Sequence, residues 1–553
     1  MKKWFKSGGP WIWLAAGAVS ISMVMILGLI TLLFINSLGN FWPKRVVEIS
    51  YAQENEESIR YIGEIINQTQ DKLNQSGKIG ISIFNKTNVN TRKLLRLGNR
   101  DFFNQDFVWV SDNKIKEQDY PKDIVTIERQ EWGNAYGYIK AIKERGKIIA
   151  EIKEANKLWS VLQERLARSH VLTNQVIYIK KHEINIVNNR LEKLRLYRRK
   201  LEIQGITDKA VYDETEVKFQ DLQRRYEESE KKLNSLYRQN KRDELILEAA
   251  DGQLIDIPFS KIIHLYHPNQ MGIGERVHYS FQKIYDFIVK DPREANTEGG
   301  VFPAIFGTIA MVLIMSILVT PFGVLAAVYL HEYATQGLLV RIVRIAVNNL
   351  AGVPSIVYGI FGLGFFVYFL GGNIDQWFFP EVLPAPTFGT PGLLWASLTL
   401  AILTVPVVIV TTEEGLSTIP RSIREGSLAL GATQAETLWR TVLPMAAPAM
   451  ITGLILAVAR AAGEVAPLML VGVVSFAPTL PLDEGFPFIH LNREFMHLGF
   501  HIYDVGFQSP NIDAVQPLVY ATALLLILII VGLNLTAIII RNRLRERYHT
   551  AET

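Results

Sequence analysis

The chain has 553 residues, 49% of them hydrophobic and 20% charged, with a formal net charge of +4 and no cysteine. The lack of cysteine excludes a disulfide scaffold, a thiol nucleophile and a thiolate metal site, and so small a net charge argues against a nucleic-acid binder, which needs a concentrated basic face. Of the 112 Asp, Glu, Lys and Arg, three lie in the first 35 residues, 83 in 36–300 and 26 in 301–553, so the last part is too apolar for a water-soluble domain.

The first apolar run, Trp11 to Ile35, carries no charge, follows Lys2, Lys3 and Lys6, and is long enough to cross a hydrocarbon core of about 30 Å. Residues 1–35 therefore read as a cytoplasmic start and a first transmembrane helix. The competing reading is a cleaved signal peptide ending near Ser37-Leu38-Gly39, but the run exceeds the usual apolar region of roughly 7–15 residues.

Residues 36–300 read as one soluble α+β domain. Gly80 to Phe84, Phe107 to Ser111 and Ile124 to Ile139 are rich in Ile, Val, Tyr and Phe and predict short strands. From about 141 to 239 the pattern turns helical: Ala155, Trp159, Leu162 and Leu166, then Val187, Leu191, Leu194 and Leu201, then Phe219, Leu222, Tyr226, Leu233 and Leu236 each form one apolar seam. Gly205 to Asp208 breaks this pattern, which predicts an antiparallel coiled-coil hairpin, either a spacer or packing device or a docking surface for a partner. Residues 244–257 alternate around Asp251-Gly252, a hairpin signal that places the helical insert between strands. Val277, Phe281, Ile284, Tyr285 and Ile288 share a helical face, so about 276–290 predicts an interfacial helix.

Five more apolar segments follow, near 303–330, 350–371, 392–411, 446–475 and 516–540, and no lysine follows Lys290. Six spans put both ends on one side. Basic residues before the first span and Arg541, Arg543, Arg545 and Arg547 after the last place both ends in the cytoplasm. Residues 36–300 are then extracytoplasmic and the loop 412–445 is cytoplasmic.

The Gly-Lys pairs at 77–78 and 146–147 lack the spacing and hydroxyl of a phosphate loop, and His182-Glu183 and His331-Glu332 lack the second histidine of a zinc protease. His490, His497 and His501 have no acidic or cysteine partner at ligand spacing, so no metal site is assigned. The loop 412–445 reads as a helix, a glycine break at Gly431 and a second helix. Such a corner can dock reversibly against a motor protein, while an ordinary connection between spans is the plainer reading. Arg460 and Glu464 lie four apart inside an apolar stretch with Gly463 and Pro467 between and after them. They share a helix face, and charges there must line a cavity or pair. The glycine and proline weaken the helix as in the broken helices of transporters. An arginine fork suits a tetrahedral oxyanion, with the glutamate as its partner when the site is empty. A structural ion pair joining helices is the alternative.

Glu425-Gly426-Ser427, Gly431 six residues after the Glu, and Leu443-Pro444 resemble the E-A-A, three residues, G, nine residues, I-x-L-P signature of ABC importer permeases. Gly426 and Ser427 stand for the alanines and Thr441 for the isoleucine. Residues 299–308 (GGVFPAIFGT), 327–334 (AVYLHEYA), 349–359 (NLAGVPSIVYG) and 460–468 (RAAGEVAPL) resemble the phosphate-specific permeases of the PstA family, with Val465 where that family has threonine.

The resemblance implies an all-α polytopic membrane protein with a type I ABC importer core over 301–553 and the α+β insert outside. It implies a non-catalytic permease for inorganic phosphate in a bacterial inner membrane, with Arg460 and Glu464 on the substrate path. Glu425, Gly426, Ser427, Gly431, Leu443 and Pro444 would couple it to an ATPase. The implied partners are a PstC-like permease, a PstB-like ATPase dimer that alone carries ATP and Mg, a PstS-like phosphate-binding protein and membrane lipid, with no nucleic acid. A permease for sulfate or molybdate, and a receptor with an outer sensing domain, are the rival readings.

Overall fold

The structure is a computed structural model and describes residues 9–52, 58–71, 90–152, 155–335, 337–483 and 488–549. The chain divides into two compact units, one formed by Met1–Asn40, Ile288–Asn296 and Gly300–Thr553 and the other by Phe41–Phe287 with Thr297–Gly299.

The second unit is built on two antiparallel sheets. The first runs β4-β3-β2-β1-β5, from β1 (Val46–Ala52), β2 (Ser58–Asp71), β3 (Asn90–Arg96), β4 (Phe107–Ser111) and β5 (Ile115–Asp119). The second runs β10-β9-β7-β6-β11, from β6 (Val125–Arg129), β7 (Ala135–Glu144), β9 (Asp243–Glu248), β10 (Leu254–Pro258) and β11 (Ile262–Tyr266), with β8 (Lys147–Glu151) also on β7. Val46, Ile62, Ile124 and Tyr136 close the seam where the two sheets meet. Glu64 is buried beside this seam, and burial pushes its carboxyl up although Arg96 and Lys44 pull it down. Phe107 to Ser111 is a strand as expected, and the 244–257 signal is the β9-β10 pair, with Leu254 opposite Glu248 and Pro258 opposite Glu244. The stretch 124–139 is two strands rather than one, turned at Trp132 and Gly133, both at positive φ. The strand expected over 80–84 lies outside the described residues.

The helical stretch expected from about 141 begins later: 135–144 and 147–151 are strands, and the first helix starts at Ala155. The reason is that Ile139, Ile142 and Ala150 bury in the sheet core, an alternation that short windows confuse with helical spacing. Ala155–Tyr178 continues through a π turn, Ile179–Ile184, into Asn185–Ile203. Gly205 at φ 69 turns the chain, Asp208 caps the helix Lys209–Asn240 by accepting from the Ala210 N–H, and this helix returns along the first. The pairing is antiparallel. Ser169 Oγ donates to Asn240 Oδ1 at 2.8 Å, Ser229 Oγ to Glu183 Oε2 at 2.8 Å, and Arg198 Nη1 to Glu216 Oε2 at 2.8 Å. Both ends of this helical hairpin enter the sheet at β7, which β8 and β9 flank. The helix expected over 276–290 spans Ile273–Val289 and keeps Phe281 and Tyr285 exposed.

The first unit holds six helices long and apolar enough to cross a membrane, among the described residues: Trp11–Phe41, Phe302–Tyr333, Ser355–Phe378, Leu393–Ser417, Gln434–Gly463 and Ile512–Glu546. The span expected over 446–475 is shifted, because the helix starts earlier and ends at Gly463. Leu393–Ser417 is the most enclosed and packs on Phe302–Val328 and Leu443–Gly463. Lipid gives helices no hydrophobic reason to associate, so backbones must approach closely through small residues. A Cβ on Gly453 would stand 2.0 Å from Thr411 Oγ1, and one on Gly323 2.6 Å from Val408 Cγ1.

Between the last two spans, His497 and His501 are buried, with His497 Nε2 and His501 Nδ1 unpartnered. Burial brings both rings down to about 4. Their unfolded pKa is near 6.5, so each contributes stability that is complete above pH 6.5 and is lost as pH falls towards 4, about 3 kcal/mol per ring. The melting temperature of the detergent-solubilised protein should drop between pH 7.5 and 5, and His497→Asn, which keeps an acceptor for the Gly499 N–H, should reduce that drop. An acid slope equal to wild type would contradict the assignment.

Candidate functional site

The helix Leu443–Gly463 ends because Glu464 leaves helical geometry at φ −80, ψ 126, three residues before Pro467. Arg460 thus sits in the last turn, where free carbonyls favour a cation. Its Nε lies 3.5 Å from Glu464 Oε1, with the two side chains 34% and 21% exposed. That separation is an ion pair longer than a usual N–H···O hydrogen bond. The guanidinium therefore keeps donors for another acceptor. The following segment is braced from outside: Gly359 lies so close to Pro467 that a Cβ there would stand 2.7 Å from its Cα. Its neighbour Tyr358 donates to the Leu350 carbonyl at 2.7 Å and lies within electrostatic reach of Arg460.

The expected coupling residues sort into two groups. Glu425 and Gly426 lie exposed on the short helix Arg421–Ala429, and Gly431, at φ 88, turns the chain in open space. The others build the corner. Ser427 Oγ and Thr437 Oγ1 are 2.9 Å apart, Leu443 is buried with Val328, Leu416 and Leu438, and Pro444 opens the long helix. Thr433 and Glu436 form a capping box that starts Gln434–Thr437, a Thr-x-x-Glu signal legible in the sequence.

The sequence reading gave no role at this corner to Leu430, Trp439, Arg424 or Glu332. Leu430 is 91% and Trp439 65% exposed on this corner, an apolar display of the kind that marks a contact surface. Glu332, at the end of Phe302–Tyr333, accepts from Arg424 Nη2 at 2.9 Å, while Arg424 also donates to the Leu416 and Ile419 carbonyls at 2.8 and 2.7 Å. The His331-Glu332 pair, unsuited to a zinc site, instead ties the corner to an earlier span. His490, for which spacing supplied no acid, has Asp483 Oδ1 at 2.8 Å.

Residues 319–549 match the family of binding-protein-dependent transport system inner membrane components. Phosphate transport system permease protein PstA 1 of Mycobacterium tuberculosis is 33% identical over 243 residues, 44% of this chain and 71% of that protein. The chain belongs to this permease family. The permease is also 31% identical to phosphate transport system permease protein PstA of Yersinia pestis over 255 residues, 46% of this chain and 76% of that protein. To the probable ABC transporter permease protein YqgI of Bacillus subtilis it is 29% identical over 261 residues, 46% and 82% of the two chains. Among solved structures, a chain of the inward-facing MetNI methionine ABC transporter is 18% identical with a TM-score of 0.33, covering 44% of the permease and 94% of that chain. Arg460, Glu464 and the corner 421–444 all fall in the matched segment, whereas Phe41–Phe287 precedes it. The protein is a multi-pass inner-membrane permease component, not an enzyme.

Removing the Arg424 fork takes a charged donor from Glu332, which keeps His331 Nδ1 at 3.0 Å, and two donors from the Leu416 and Ile419 carbonyls, a loss of about 1–3 kcal/mol. Arg424→Ala should therefore lower the melting temperature and speed proteolysis between Ser417 and Gly431. Unchanged melting and cleavage would show that the tie is dispensable.

Proposed function

We propose that this chain is a PstA-like permease subunit of an ATP-driven inorganic phosphate importer, forming the translocation path with a PstC-like permease. A PstB-like ATPase dimer, which carries the ATP and Mg, docks below, and a PstS-like phosphate-binding protein delivers substrate from above. Both termini then lie in the cytoplasm, and residues 36–300, including the helical hairpin taken as a coiled coil, lie outside. The observation that carries this reading is a lone guanidinium, held at 3.5 Å by one glutamate, at the broken end of a membrane-length helix. In a permease family with phosphate-transport relatives, that geometry offers an arriving oxyanion two charged hydrogen bonds without a deep trap. Glu464 neutralises Arg460 between passages, so phosphate displaces a weak partner and leaves easily.

ATP binding on the partner closes the ATPase dimer, and the corner from Glu425 to Gly431 moves with it. Leu430 and Trp439 supply the apolar contact, and the rigid tie from Arg424 to Glu332 passes the displacement to the span Phe302–Tyr333. The spans then exchange inward and outward states, a two-state element biased by a ligand on another subunit.

Arg460→Gln keeps the helix and removes the charge. It should abolish labelled-phosphate uptake in cells while the complex still assembles, and uptake at wild-type levels would remove Arg460 from the path. Excess sulfate or molybdate should leave wild-type uptake intact; competition by either would reassign the substrate. Gly431→Val places a β-branched residue at φ 88, a strain of about 1–2 kcal/mol. In reconstituted complexes ATP hydrolysis should continue while transport per ATP falls at least tenfold. Normal stoichiometry would place coupling elsewhere.

A further inference from the structure

The helical hairpin leaves the sheet through a ring of cations. The β7-β8 turn brings Arg145, the outgoing helix Arg168, and the returning helix with its exit Arg238, Lys241 and Arg242, around a concavity of about 730 Å³ whose lining includes one acid, Glu244. Part of this charge has a structural purpose. Asp243, buried at the start of β9, takes Arg168 at 3.2 Å and Arg242 at 3.1 Å, and Glu144 takes Arg242 at 3.2 Å, which anchors the hairpin to the sheet.

Arg145, Arg238 and Lys241 are not explained in that way. All three are exposed and none has an ion pair among the described residues. Arg145 is moreover fixed in the left-handed region at φ 50, its N–H donating to the Arg242 carbonyl at 2.8 Å, so its side chain starts from a set position at the rim. Like charges held around one concavity repel, and an anion placed among them removes that repulsion. Arginine forks match phosphate oxygens in pairs, and the lysine adds a compact charge.

Size narrows the anion. The concavity has room for on the order of 20 waters at ~30 Å³ each, far more than one tetrahedral oxyanion fills. We propose that the root of the hairpin is a binding site for a multiply charged phosphate-class anion longer than orthophosphate, such as a short phosphate chain or a phosphate-bearing lipid headgroup. This rests on the concavity alone and does not depend on the transport reading.

The test uses the full chain in nanodiscs of zwitterionic lipid, titrated calorimetrically at fixed ionic strength with sodium tripolyphosphate, orthophosphate and sulfate. Tripolyphosphate should bind saturably and at least tenfold more tightly than the other two. The triple variant Arg145→Ala, Arg238→Ala, Lys241→Ala should weaken it at least tenfold with unchanged melting, since these side chains make no ion pair among the described residues. Arg238→Glu alone is the second variant and should weaken it comparably. Arg460→Gln should leave this binding unchanged even if it stops transport. In phosphatidylglycerol nanodiscs, a tenfold loss of apparent tripolyphosphate affinity in wild type would identify the headgroup as occupant, and undiminished affinity a soluble phosphate chain. No saturable binding in zwitterionic discs, or full binding by the triple variant, would overturn the proposal.

Discussion

A cation on a helix of membrane length persists only where something other than bulk water receives it. Arg460 meets this constraint in two ways: its helix ends three residues later, which places it in the last turn, where the helix dipole favours a cation, and Glu464 turns out of helical geometry to stand beside it. Much of the membrane unit follows from holding that break. The segment after it is pinned by the close approach of Gly359 to Pro467, and the helix itself is seated against Leu393–Ser417 by a close approach at Gly453. A bulkier residue at either glycine would move the broken end before it altered any charge.

The membrane part was legible in the sequence because apolar runs of spanning length are a strong signal and because Arg460 and Glu464 interrupt one of them. The end of that span was not. Apolarity continues through Leu468–Val471, so composition extended the helix, whereas the backbone had already broken at Glu464. In the soluble unit the seams of 155–239 were legible, and so was the Asp251-Gly252 turn. The first sheet was largely hidden. In β3, Leu94 and Leu95 both bury and Arg96 pairs with Glu298, far away in sequence, so its pattern is set by tertiary partners that no local window contains. The coupling corner was found through its glycine and Leu-Pro, but its tie to Glu332 spans 92 positions and left no local trace.

The two ionic systems work in opposite senses. At the seam between the sheets, Glu64 is buried with the half-buried Arg96 and Lys44 beside it, where removing the cations leaves an uncompensated charge. At the root of the hairpin Asp243 and Glu144 are taken by Arg168 and Arg242, and the remaining cations face solvent with Glu244 as the one acid in the lining. The first arrangement fixes a fold, while the second leaves charge to spare for something else.

The hairpin also has a mechanical meaning. Its root lies where Ser169 meets Asn240, and the outgoing arm runs on to Ile203 before turning, which at 1.5 Å per residue is a projection of about 50 Å. Beyond that root the two arms bond to each other, as at Glu183 with Ser229 and Arg198 with Glu216. Matching deletions or insertions in both arms would leave β8 and β9 in register on β7. The reach of the arm is therefore an adjustable length, separable from the sheet that carries it, much as a boom can be shortened without rebuilding its mast.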